Sequence, residues 1–440
     1  LGSLLMSIGI PYDSDEARGW AASLAAILSG HGYSTSAQLA SSIGAFDGFS
    51  ENRDPMLDVM ELHKNASRKI DPDTCPSDLV CAAQEDWDIC LDVGGEFGYR
   101  NAQISVIAPT GTTGIMMDCD TLGIEPDFAL VKFKKLAGGG YFKIENQSIS
   151  VALKGLGYPP QQIKEIVDFV AGTSILDSSD HINPTTLKAK GLDDEDIISV
   201  ERMLKIAFDI ELAFAPGILG DQCLNRLGIS ATEAKKSGFS VLEFLGFTRE
   251  EIDIASNVIC GKGTVEGAPH LSPDHYGIFD CASKCGTGSR FIASMGHVKM
   301  VAAVQLFISG AISKTVNLPN EATVDDIRNV YVEAWKRGVK CLAVYRDGSK
   351  GSQPLSTTSQ TEKKEETQVE YRPVRKKLSD TADSIRHKFE IAGHEGYVHV
   401  GLYADGTPGE VFIRMNKEGS TISGLMDTIA TKTSLLLQHG

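Results

Sequence analysis

The chain has 440 residues, 42% of them hydrophobic and 23% charged, with a formal net charge of −16. That length exceeds one ordinary domain, the apolar fraction excludes intrinsic disorder, and the acidic balance opposes nucleic acid as a partner, since a duplex-binding surface needs clustered Lys and Arg to displace counterions. No run of about 18 uncharged apolar residues exists to span a bilayer, and Leu1-Gly2-Ser3-Leu4-Leu5-Met6 lacks a signal peptide's basic segment, so a cytoplasmic protein cut at its start, with no membrane partner, is expected.

In chain order, residues 16–29, 34–43 and 55–67 repeat apolar positions at helical spacing, and Asp13-Ser14-Asp15 supplies N-capping side chains before the first of them. Residues 102–108 (Ala-Gln-Ile-Ser-Val-Ile-Ala) form a short β-branched run ending at Pro109, the pattern of a buried strand. After Gly138-Gly139-Gly140, a hinge or close backbone approach, helices are expected over 160–171, 194–213, 294–309 and 324–337, and a strand over 339–345. Helices alternating with a few buried strands predict an α/β domain.

From residue 356 the sequence turns Ser/Thr/Gln/Glu/Lys-rich, including the charge run Lys363-Lys364-Glu365-Glu366, and reads as a solvated linker over 356–383. Beyond it, residues 387–390, 397–403 and 410–415 alternate like strands, Asp405-Gly406 turns between the last two, and 423–438 reads as a helix. The expected organisation is a large α/β domain over 1–355, the linker, and a small α+β domain over 384–440.

Nine cysteines spread between Cys75 and Cys341 form no disulfide framework, and most are expected in the core. Cys281 and Cys285 are the closest pair, with too few ligands for a metal site. The stretch with most chemistry is Ala108-Pro109-Thr110-Gly111-Thr112-Thr113-Gly114. Glycines admit an anion close to the backbone, successive N–H groups can face it, and threonine hydroxyls add donors. No Lys follows the second glycine, which separates the loop from a Walker motif, and an ordinary turn has the same composition.

The surroundings separate those two readings. The run from Asn101 through Gly114, then Asp118-Cys119-Asp120-Thr121-Leu122-Gly123-Ile124-Glu125-Pro126-Asp127-Phe128 and the block opening at Lys132, closely resembles adenosylcobalamin-dependent (class II) ribonucleotide reductases. The runs opening at Leu4, His297, Ile308 and Val344 are similar to that family as well, and the run from Gly409 to Asp427 is similar to its small C-terminal domain.

The resemblance implies the later part of a ten-stranded α/β barrel, and a reduction of ribonucleotides to 2′-deoxyribonucleotides that uses adenosylcobalamin and a dithiol reductant such as thioredoxin. It assigns the substrate's phosphates to Pro109, Thr110, Gly111, Thr112 and Thr113, although Thr113 stands where the family usually has Ile, and Leu306 replaces a usual Pro. It also implies a radical cysteine in an Asn-x-Cys-x-Glu motif. None of the nine cysteines has that context, so the radical and reducing cysteines are expected upstream of Leu1, no catalytic or metal-binding residue is assigned here, and the 440 residues alone are expected to be inactive. Homodimerisation is an expectation of the family. A class I or class III reductase would share the barrel, and a non-catalytic nucleotide- or phosphate-binding protein on that barrel is the alternative of a different kind. His275 and His297 read as structural histidines and Tyr345 as packing.

Overall fold

A computed structural model describes residues 1–135, 141–236, 238–349, 355–356, 375–379, 381–391, 394–415 and 421–439. The Gly138–Gly140 run and most of the expected linker, including Lys363 to Glu366, lie outside the described residues. The chain divides into two units, Leu1–Gln360 and Thr361–Gly440.

The first unit opens with α1 (Gly2–Ser7) and α2 (Asp15–Ile43). Ser14 caps α2, its hydroxyl accepting from the Ala17 N–H at 3.0 Å, and Asp15 and Glu16 place negative charge in the first turn. The two helical stretches expected over 16–29 and 34–43 are one helix, because the Gly30-His31-Gly32-Tyr33 between them contains no Pro and Ala continues on both sides. Next come α3 (Arg53–Ser67) and α4 (Ser77–Phe97). The small residues of α2 let α4 approach closely: a Cβ on Gly30 would lie 3.1 Å from Asp86 Cβ and Trp87 Nε1. Trp87, Tyr33 and Tyr99 fill the seam, with Tyr33 and Tyr99 edge to face at 5.7 Å.

After α5 (Gly111–Met116), β1 (Val131–Lys135) and β2 (Tyr141–Glu145) form an antiparallel hairpin in register Val131↔Glu145. Then follow α6 (Ser148–Gly155), α7 (Pro160–Ala171), α8 (Pro184–Ala189), α9 (Asp194–Leu204), α10 (Ile210–Ala213), α11 (Pro216–Leu227), α12 (Val241–Phe244), α13 (Arg249–Ile259) and α14 (Ser294–Gln305). The single helix expected over 194–213 breaks because the Asp209 side chain accepts from the Glu211 N–H at 2.8 Å and so starts α10. β3 (Thr315–Leu318), α15 (Val324–Lys336) and β4 (Ala343–Arg346) complete a parallel β-α-β unit, with Asn317 opposite Tyr345. A short β5 (Leu355–Ser356) adds to the free edge of β1.

The second unit is a meander of β6 (Ser384–Ile391), β7 (His394–Leu402) and β8 (Pro408–Met415), followed by α16 (Thr421–His439). The Asp405-Gly406 turn forms, closed by Tyr403 N–H donating to Thr407 O at 2.8 Å. The Ser434 hydroxyl of α16 accepts from the Val411 N–H at 2.8 Å and donates to the Val411 carbonyl at 3.0 Å, fixing helix against strand. No helix among the described residues is long and apolar enough to cross a membrane.

Candidate functional site

The stretch over 102–108 is extended but barely a strand: only Ile107 bridges, in parallel, to Ile312. Ile107 donates to the Ala311 carbonyl at 3.0 Å and accepts from Ser313 N–H at 2.8 Å, and the pairing ends where Pro109 removes a donor. Thr110 then takes φ 51°, a left-handed conformation unusual for a β-branched residue, and its hydroxyl donates to the Pro109 carbonyl at 2.9 Å. That corner aims the chain into α5, whose turn closes with Gly114 N–H on the Thr110 carbonyl at 2.7 Å.

The result is a run of unpaired donors. The N–H groups of Gly111, Thr112 and Thr113 take no partner among the described residues, and Thr112 and Thr113 are exposed. Three successive unpaired amides flanked by hydroxyls are the elements of an anion nest. Pro109 and Thr110 shape the corner, and Gly111 faces open space, with nothing within 4 Å of where a Cβ would stand.

The segment after the loop is braced from beneath. Gly123, at φ 55°, passes so near that a Cβ would lie 2.7 Å from the Ala108 carbonyl oxygen. The Asp120 carboxylate accepts from Gln147 N–H (3.1 Å), Ser148 N–H (3.0 Å) and the Ser148 hydroxyl (2.7 Å), capping α6. The Lys132 ammonium donates to the Asp120 carbonyl at 3.1 Å and to Asp127 at 2.6 Å, and Asn146 donates to the second Asp127 oxygen at 2.5 Å. Burial pushes the Asp127 carboxyl above the usual carboxylate range, against the opposing pull of Lys132.

A second buried charge cluster lies at the far end of this segment. The Lys314 ammonium donates to Glu125 at 2.5 Å, to the Thr315 carbonyl at 2.7 Å and to His297 Nδ1 at 2.7 Å. His297 is fully buried, and burial together with the Lys314 charge holds its imidazole well below the ordinary value near 6.5. His275 accepts or donates at 2.8 Å with the Tyr158 hydroxyl. Neither Lys132 nor Lys314 had a role assignable from sequence, because each partner is recognisable only in three dimensions.

Two imidazoles, the half-buried His63 and the fully buried His297, have depressed pKa values, desolvation being the leading cause for each. The unfolded chain therefore takes up protons near pH 6.5 that the folded chain refuses, and stability falls as pH drops through that value. Unfolding free energies from urea denaturation between pH 7.5 and 5.5 are expected to fall by up to about 1.4 kcal/mol per pH unit per histidine, and His297→Gln removes one proton from that slope.

Six cysteines, Cys75, Cys90, Cys223, Cys260, Cys281 and Cys285, are buried, and Cys81, Cys119 and Cys341 are exposed. The adjacent Cys285 thiol and burial push the Cys281 thiol well above its ordinary pKa, the opposite of what a reactive thiolate requires. Among the described residues no group of three or more His, Cys, Asp or Glu is arranged to hold a metal ion.

The family model described as ribonucleotide reductase, barrel domain, matches residues 1–201 and 234–345, which include the Gly/Thr loop and both buried charge clusters. The chain belongs to the ribonucleotide reductase family. It is 44% identical, over its whole length, to a vitamin B12-dependent ribonucleotide reductase of Bradyrhizobium diazoefficiens, of which it covers 39%. The corresponding proteins of Agrobacterium fabrum and Rhodopirellula baltica are 44% and 43% identical, again over the whole of this chain and over 38% and 35% of theirs. The chain thus spans well under half the length of these reductase relatives. Their similarity extends beyond residue 345, where the barrel match stops, to the second unit.

Proposed function

We propose that the protein carrying these residues reduces ribonucleotides to 2′-deoxyribonucleotides, and that the Gly/Thr loop binds the substrate's phosphates. The observation that carries the reading is the set of three unpartnered amides at Gly111, Thr112 and Thr113, presented at the point where the family resemblance is densest. Pro109 and Thr110 set the corner, the three amides face the phosphate oxygens, and the exposed Thr112 and Thr113 hydroxyls add donors. Residues 1–355 form the later part of a ten-stranded α/β barrel, 356–383 link it to the rest, and 384–440 make a small α+β domain.

Adenosylcobalamin supplies the radical that starts the chemistry, and a dithiol reductant such as thioredoxin restores the enzyme. The described residues offer no clustered metal ligands, and His297 and His275 are engaged by Lys314 and Tyr158, so no residue here is assigned to the cofactor. None of the nine cysteines lies in an Asn-x-Cys-x-Glu context, so the radical-bearing cysteine belongs to sequence outside these 440 residues, which alone are inactive.

Thr112→Val in the full-length protein tests the loop. Loss of a hydroxyl donor to a charged oxygen is worth about 1.5–3 kcal/mol, so KM for the ribonucleotide is expected to rise about tenfold or more, with kcat little changed. An unchanged KM would remove the loop from the substrate site. Nucleotide binding without any product, in a complete protein supplied with cofactor and reductant, would favour a non-catalytic binding protein on the same barrel.

A further inference from the structure

The excursion from Ile107 to Glu125, which contains the Gly/Thr loop, has both its ends held by one short stretch of chain. At the entry, Ile107 exchanges backbone hydrogen bonds with Ala311 and Ser313 at 3.0 and 2.8 Å. At the exit, the two Glu125 oxygens accept from Thr315 N–H at 2.7 Å and from the Lys314 ammonium at 2.5 Å. An ammonium has three protons, and those of Lys314 meet three acceptors: Glu125, the Thr315 carbonyl and His297 Nδ1. Its side chain is 1% exposed, so it has no alternative partner in water and one available geometry.

We propose that Lys314 is a positioning residue for the substrate's phosphates, acting through Glu125 to hold the exit of the Gly/Thr loop in register with its entry. The inference rests on the phosphate-loop reading. A nest of amides binds tightly only when its geometry is set before the anion arrives, because otherwise ordering the loop opposes binding. Between Thr113 and Glu125 the chain carries the exposed Met116 and Met117 and a left-handed Asp118 at φ 56°, so α5 is anchored mainly from its flanks. Lys314 and Glu125 make one of those anchors with charged groups, and neutralising either removes the charge attraction that closes it.

Calorimetric titration of the full-length protein with inorganic tripolyphosphate separates positioning from plain stability. In Lys314→Met, which keeps the length and apolar stem, the dissociation constant is expected to rise about tenfold with the stoichiometry per folded chain unchanged. Glu125→Gln keeps an acceptor for Thr315 N–H and is expected to do the same, and the double variant should be no worse than the worse single one, as for two halves of one contact. Glu125→Gln also carries the test if Lys314→Met fails to fold. A lower stoichiometry at unchanged affinity, or additive single effects, would overturn the proposal. Thr112→Val is the control: if it weakens tripolyphosphate binding while Lys314→Met and Glu125→Gln do not, only this inference fails. If Thr112→Val has no effect, the phosphate-loop reading fails first.

Discussion

Lys132→Met is expected to lower the unfolding free energy by about 3–5 kcal/mol, the usual result of removing one partner from a buried ion pair. Asp127 is left with a side chain 1% exposed, facing the Asn146 amide and the Phe128 N–H but no cation. The Coulomb attraction that opposed the desolvation raising its pKa is gone. The damage reaches the site, because the same ammonium holds the Asp120 carbonyl and Asp120 caps α6. Urea denaturation of the single variant against the Asp127→Asn/Lys132→Met pair checks the cause. The pair should recover a large part of the loss, since it leaves no unpaired charge inside. Equal losses in both would show that packing, and not charge, is responsible.

Gly172→Ala is expected to cost about 2–5 kcal/mol, from a left-handed backbone that disfavours a side chain and from overpacking. Gly172 ends α7 at φ 82° and Gly261 follows α13 at φ 88°, and the two chain reversals cross in contact. A Cβ on Gly172 would lie 2.4 Å from the Cys260 carbonyl carbon, and one on Gly261 would lie 2.4 Å from that of Ala171. The crossing is tied by Ser174 N–H on the Ile259 carbonyl at 2.9 Å and Gly263 N–H on the Val170 carbonyl at 2.9 Å. The buried Lys143 ammonium donates to the carbonyls of Ala171 and Cys260, placing a cation at the ends of both helices. Gly157→Ala is the matched control, because at φ 87° it carries the same backbone strain with nothing within 4 Å of the added methyl. Its loss should be about 1–2 kcal/mol, and an equal loss at both positions would mean the crossing is looser than the geometry says.

These two sites mark what could and could not be read from residue order. Periodicity placed α7 over Pro160–Ala171 without error, since Pro at the first turn and Gly after the last bracket an amphipathic run. In the second unit, alternation and Asp405-Gly406 located β7, β8 and their turn. The hairpin of β1 and β2 was not legible, because Lys132 and Lys143 stand buried where a solvent-facing lysine is the ordinary reading. The β-branched run before Pro109 suggested a buried strand, yet Val106 is 62% exposed and only Ile107 finds a bridging partner, supplied from Ile312. The expected strand over 339–345 is shorter and starts at Ala343, where the chain first runs beside β3.

The loop's left-handed corner at Thr110 and the unpaired amides of Gly111, Thr112 and Thr113 fall where composition and family resemblance direct attention. The loop's supports were not legible. Glu125 and Lys314 are 189 positions apart, and no local pattern announces a pairing of that separation. Chemistry concentrated in a short run can be read along the chain, whereas the charges that hold such a run in place become visible only when distant segments meet.

The most direct test of the central reading is deoxyribonucleotide formation by the full-length protein, assayed with a dithiol reductant in the presence and absence of adenosylcobalamin. The account predicts product only when the cofactor is present, and no product from residues 1–440 alone. Product formed at equal rates without the cofactor, or none from the folded, complete protein supplied with it, would contradict it.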